Sequence, residues 1–171
     1  MDIMIRRKFR ASSVRNFFFG VEDGLVSTVG FLSGVAAAGV DRGTIFLTGV
    51  VLILVEAFSM AAGSFISEYS AEEYAEKKEL PIRNPLRDGA IMFFSYLLAG
   101  LVPLFPYLIL PMVSGFWLSV FLSLAALATL GIIGARISGV KMSRNILRIL
   151  TVGGAAIVIG IIVGRAFALN F

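Results

Sequence analysis

The sequence predicts an all-α integral membrane protein with five transmembrane helices, and three observations carry that reading. Hydrophobic residues make up 58% of the 171 positions and charged ones only 15%, which leaves too little polar surface to coat a soluble globule. The mean hydropathy of +0.92 agrees. Five apolar runs, at 17–40, 44–66, 88–104, 113–135 and 146–168, are long enough to cross a hydrocarbon core of roughly 30 Å and are divided by short polar or proline-bearing segments. A single membrane domain over 1–171 follows, with 67–87 as a helix extension and linker.

The first run holds two adjacent carboxylates, Glu22 and Asp23. Carboxylates inside a membrane helix cost a few kcal/mol or more, so they face a bundle interior and mark an ion or proton path. They also argue against a cleaved signal peptide, whose apolar core is shorter and uncharged. Asp41-Arg42-Gly43 supplies a tight turn, with the glycine providing the permissive backbone. The second run returns antiparallel to the first and carries its own acid, Glu56. Steps of four place Glu56, Met60, Ser64, Glu68, Glu72 and Glu76 on one slowly drifting stripe of a continuous helix. The lower half of that stripe, SEYSAEEYAEKKE, projects into water, where an ordinary solvated helix end is the competing interpretation.

Pro81 and Pro85 break the second helix, and the third run begins at Asp88. Pro103, Pro106 and Pro111 mark its exit, with Phe105, Tyr107, Phe116 and Trp117 nearby as interfacial anchors. The fourth run ends at Arg136, before the basic loop ISGVKMSRN. The fifth contains Gly153, Gly154, Gly160 and Gly164. Small residues four apart, such as Gly20 with Gly24 and Gly30 with Gly34, allow close backbone approach in lipid, within one chain or between two copies.

Thirteen of the 15 Lys and Arg residues fall in the amino-terminal flank, the second-to-third linker and the fourth-to-fifth loop. The positive-inside bias therefore puts the amino terminus in the cytoplasm and, after five spans, the carboxyl terminus outside. The same distribution explains the net charge of +4 by topology rather than by nucleic-acid binding. Cysteine and histidine are both absent, which removes disulfides, thiolate centres, haem ligation by His and zinc sites built on either residue. A metal must be held by carboxylates, Met sulfur, hydroxyls, carbonyls or water. Asp23 and Met60 lie at a common depth, roughly 9 Å from the cytoplasmic helix ends. Glu56 sits one turn deeper, so that Glu22, Asp23, Glu56 and Met60 can line one cavity. Carboxylates with a thioether suit Fe²⁺ or Mn²⁺ better than Mg²⁺ or Ca²⁺, and metal binding to carboxylates is naturally coupled to proton release.

The stretches FGVEDGLVSTVGFLSGVA and FSMAAGSFISEYS resemble the first- and second-helix signatures of the vacuolar iron transporter family. PLRDGAIMFFSYLLAGLVPLFPYLI and LGIIGARISGVKMSRNILRILTVGGAAIVIGIIVGR resemble its third span and its last two. The likeness covers about 14–168. It implies a five-helix subunit working as a homodimer, with the path where the two first helices meet, exporting Fe²⁺ and often Mn²⁺ in exchange for protons. By the same resemblance Asp23 and Met60 are metal-path positions, and Gly20, Gly24 and Gly63 are close-packing positions. Three departures stand out. Ser64 occupies a position that is commonly Glu, Glu22 replaces a small or amide residue, and the long cytoplasmic metal-binding domain is missing. Glu68, Glu72, Glu73, Glu76 and Glu79 would be a reduced version of that domain, concentrating cation at the mouth.

The expected partners are divalent ions, protons, lipid and a second copy of the chain; no nucleic acid and no resident cofactor is expected, the metal being cargo. A metal-binding sensor or partner subunit without transport is the alternative. Catalysis is not expected, since no nucleophile with a base and no phosphate-binding loop is present. The compact loops point to a multi-pass protein of a prokaryotic cell membrane.

Overall fold

The computed structural model describes the backbone of residues 2–77 and 81–170, and the side chains of 11–75, 77 and 81–169. The described residues form five helices, α1 (Asp2–Ala37), α2 (Arg42–Glu76), α3 (Arg83–Ile109), α4 (Met112–Ser138) and α5 (Met142–Asn170). All five are long and apolar enough to cross a membrane. At 1.5 Å per residue the 36 residues of α1 and 35 of α2 extend well beyond a hydrocarbon core of about 30 Å. The chain is a multi-pass membrane protein whose first two helices project from one end of the bundle.

The bundle is built on α1, which touches each of the other four helices; α2 lies against α3, α3 against α4, and α4 against α5. Two apolar clusters fill the contacts. Leu32, Ile45, Ile53, Leu104 and Tyr107 join α1, α2 and α3, and Leu25, Ala99, Leu127 and Ile149 join α1, α3, α4 and α5. Apolar side chains gain little by leaving lipid tails for each other, so close backbone approach matters more here than in water. A Cβ at Gly24 would lie 2.6 Å from the Tyr96 carbonyl oxygen on α3, and one at Gly20 2.8 Å from the Ser95 Cβ. Further along α1, Gly30 and Gly34 meet Ala156, Gly160 and Gly164 of α5 almost backbone to backbone. These small-residue faces are therefore occupied within one subunit.

The turns depart from the sequence expectation in three places. The left-handed residue between α1 and α2 is Gly39 (φ +81°), not Gly43, because Asp41 is needed as the cap of α2. Its carboxylate accepts from the Thr44 amide (3.1 Å) and from the Thr44 hydroxyl (2.5 Å). Gly43 falls in the first turn. Next, α3 begins at Arg83 rather than at Asp88. Pro85 is its third residue, where a backbone N–H has no acceptor within the helix, so the proline starts the helix instead of delaying it. Finally, α3 continues to Ile109 with Pro103 and Pro106 inside it. Ser119 of α4 donates to the Pro103 carbonyl (2.7 Å), which ties α4 to α3 at this level, while the carbonyls that the two prolines leave without a helical donor are those of Ala99 and Val102. Arg42 donates to the carbonyls of Leu108 and Leu110 where α3 ends. This continuation buries Tyr107, which belongs to the core and not to the aromatic anchors.

The Thr44 hydroxyl and backbone amides hold the Asp41 carboxyl below its ordinary value. The cap's contribution is complete above the pKa of the unfolded chain and is lost as pH falls through the lowered folded value. The melting-temperature gap between wild type and Asp41→Ala is therefore expected to hold from neutrality down to the ordinary carboxylate range and to close below it.

Candidate metal path

An ion pair and a hydrogen bond link α1 to its neighbours at the end where α1 begins. Arg15 of α1 pairs with Glu68 of α2. Ser13 of α1 donates to Asp88 of α3 (2.6 Å), which Arg87 also contacts (3.3 Å). Asp88 is only 2% exposed and its partners satisfy it, so it anchors α3 to α1 and is not available to an ion.

Counted from the Arg15–Glu68 pair, Asp23 of α1 falls level with Met60 of α2 and one turn short of Glu56. Each turn deeper along α1 from Arg15 matches a turn back along α2 from Glu68. Asp23 lies within Coulombic reach of Glu56 across the helix pair, and of Glu22 beside it. All three acids are half-buried. Glu22 points about 100° away from Asp23 around α1, as neighbouring helix residues do. Tyr96 of α3 is fully buried next to this pair. Its hydroxyl lies 2.5 Å from the Ser27 hydroxyl, and it is within Coulombic reach of both Asp23 and Glu56.

One turn from the acids a cleft of about 700 Å³ opens between α1, α2 and α3, lined among others by Asn16, Ser59, Met60, Ser64, Ser67 and Met92. Two thioethers from different helices thus face the same space. Asn16 is 3% exposed, and its Nδ2, like the Ser64 Oγ, has no hydrogen-bond partner among the described residues. Buried polar groups left unmatched cost about 1–3 kcal/mol each, so these two mark a wall suited to a hydrated or polar occupant. The Arg15–Glu68 pair stands at its mouth, since Arg15 is itself a lining residue.

The expected site residues divide accordingly. Asp23 lies within Coulombic reach of Glu56 and Glu22, while Met60 lines the cleft and the three acids do not. Glu68 is engaged with Arg15, and Glu72 is half-buried a turn further on. The side chain of Glu76, and Glu79 altogether, lie outside the described residues. Gly20 and Gly24 fit tightly against α3, whereas Gly63 borders the cleft and has no atom within 4 Å of where a Cβ would stand. Among the described residues no three acids are grouped to hold one ion, so a single subunit offers a pair of carboxylates with sulfur and hydroxyl neighbours, not a closed cage.

Met92, Tyr96 and Asn16 are additions that the sequence reading missed. Met92, Ser95, Tyr96 and Ala99 are among the buried residues of α3 and recur at steps of three and four, which places them on one face. That face emerges only from the packing, because a helix that is apolar all round does not reveal in its sequence which side faces protein.

The VIT family model matches residues 14–81 and 75–165. Vacuolar iron transporter homolog 1 of Arabidopsis thaliana is 33% identical over 107 residues, covering 56% of this chain and 52% of its own length. Vacuolar iron transporter homolog 2 of Oryza sativa subsp. japonica is 27% identical over 187 residues, covering 95% and 94%. Homolog 5 of the same species is 28% identical, covering 86% and 76%. The match spans about half the length of the Arabidopsis protein and nearly all of the first rice one. With the family model covering almost the whole membrane bundle, this chain belongs to the VIT family.

Proposed function

We propose that this protein carries divalent transition-metal ions, Fe²⁺ and also Mn²⁺, out of the cytoplasm in exchange for protons, and that it works as a homodimer in a cell membrane. The observation that carries the reading is the placement of Asp23 and Glu56 on facing helices within the membrane segment, one turn beyond a cleft bearing Met60 and Met92. The relatives' names, which speak of vacuolar iron transport, support the class of cargo.

The steps follow from the donor types. A hydrated ion enters past Arg15 and Glu68 and exchanges water for the hydroxyls of Ser59, Ser64 and Ser67. The two thioethers favour Fe²⁺ and Mn²⁺ over Mg²⁺ and Ca²⁺, which take oxygen only. Asp23 and Glu56 then offset the ion's charge in the low-dielectric segment. Because the carboxylates bind metal only when deprotonated, each loading event displaces protons, and re-protonation from the far side helps release the ion. The acids remain half-open in one subunit, and a second copy of α1 against them would complete the ligand set. The carboxyl terminus lies outside and the amino terminus in the cytoplasm in this arrangement.

The test is transport by purified protein in liposomes with Fe²⁺ or Mn²⁺ outside and a pH-sensitive dye inside. Metal entry with proton exit, absent from protein-free vesicles, is the expected result. Binding without movement by folded protein would replace the exporter with a metal-binding sensor or partner subunit.

A further inference from the structure

The loop between α4 and α5 forms a second concave site with the opposite electrostatic character. A pocket of about 490 Å³ is lined by Val140, Lys141, Arg144, Asn145 and Arg148. Asn145 fixes its floor by donating to the Gly131 carbonyl (2.8 Å), which ties the start of α5 to α4. Arg144 and Arg148 share one face of the start of α5, and Lys141, just before the helix, lines the same pocket, so the three charges repel one another. All three are exposed.

What sets these cations apart is that no acid among the described residues meets them. Arg15 and Arg87, at the same end of the bundle, pair with Glu68 and Asp88. No Asp or Glu occurs after Asp88 in the sequence, and among the described residues none of the three pocket cations has an acidic partner. Topology alone asks for positive charge on this side but not for a pocket around it. Exposed Ile137, Val140 and Leu147 border the basic residues, so an anion seated here would have apolar surface beside it at the level where headgroups meet acyl chains.

We propose that this pocket binds a phosphate-bearing anion, the headgroup of an anionic membrane lipid being the source that its apolar border favours. Basic pockets between membrane helices recognise such headgroups by charge and by hydrogen bonds from guanidinium forks. The bound phosphate relieves the repulsion among Lys141, Arg144 and Arg148 and fastens the α4–α5 end of the bundle to the leaflet. The site is separate from the metal path and independent of transport.

The experiment is native mass spectrometry of the full-length protein released from mixed micelles containing phosphatidylglycerol and phosphatidylcholine. Wild type is expected to retain phosphatidylglycerol preferentially. Lys141→Gln/Arg144→Gln/Arg148→Gln should lower that retention by about fivefold per charge removed, of order a hundredfold in all. Lys141→Arg/Arg144→Lys/Arg148→Lys, which conserves charge and moves the guanidinium forks, should keep most of it, and Arg165→Gln at the far end should keep all of it. Millimolar inorganic phosphate provides the second arm: if it displaces the lipid, the site takes free phosphate, and if it does not, the headgroup is the ligand; either result supports an anion site. Equal retention of the two lipids by wild type, or unchanged preference in the triple Gln variant, overturns the proposal. Substitutions at exposed positions without partners should leave folding intact, and an unchanged melting temperature checks this; Arg144→Glu supplies a second variant with the same expected loss.

Discussion

Gly160→Val is expected to destroy the folded bundle, lowering the melting temperature of the detergent-solubilised protein by about 10 °C or more or preventing its recovery altogether. A Cβ at this position would overlap the Gly30 carbonyl oxygen of α1. The obstacle is backbone, which cannot turn aside as the end of a side chain can. The approach is close from both sides, since a Cβ at Gly34 would stand 2.9 Å from the Gly160 carbonyl and one at Gly30 3.0 Å from that of Ala156. Overfilling a packed contact costs about 1–3 kcal/mol and more when nothing can yield. In lipid there is no hydrophobic gain to offset it, because α5 separated from α1 still has apolar neighbours. Gly154→Val is the control. It lies on the same helix with no atom within 4 Å of its Cβ position, so its melting temperature should stay close to wild type. Equal tolerance of the two substitutions would show that α1 and α5 are not in backbone contact.

That contrast also shows what the sequence makes legible. The intervals Gly30–Gly34 and Gly160–Gly164 announce close approach, but spacing cannot name the partner, and the structure uses both faces inside one subunit. The five spans are readable because hydropathy is a sum over about twenty residues and is insensitive to local detail. Helix ends are not, because they depend on single hydrogen bonds. Pro85 fits the first turn of α3, and α3 runs on through Pro103 and Pro106. For the candidate site, the relative depths of Asp23, Glu56 and Met60 follow from counting residues along two antiparallel helices joined by a short turn. The rotation of α3 was not, since a helix that is apolar all round does not reveal which side faces protein. Met92 and Tyr96 therefore looked like ordinary membrane residues until α3 was set against Gly20 and Gly24.

Asp23→Asn is expected to reduce Fe²⁺ and Mn²⁺ transport by about a hundredfold while leaving the bundle folded. The substitution keeps the shape of the side chain and removes one negative charge from the proposed path of a divalent ion. At an effective dielectric of about 20 the gross attraction lost within 4–5 Å is several kcal/mol. Dehydration of ion and carboxylate offsets much of it, and a residual near 3 kcal/mol is about a hundredfold. Proton movement should fall in parallel, because the amide has no proton to exchange for metal. Met60→Ala and Met92→Ala should behave differently, as they leave the charge balance intact. Their expected effect is on choice, with competition by Mg²⁺ and Ca²⁺ becoming visible once the soft donors are gone. A coupled loss of metal and proton flux in Asp23→Asn, set against altered selectivity in the methionine variants, separates charge compensation from ligand softness along one path. If Asp23→Asn transported at the wild-type rate, the Asp23–Glu56 pair would not lie on the route, and the cleft at Met60 would have to lead elsewhere.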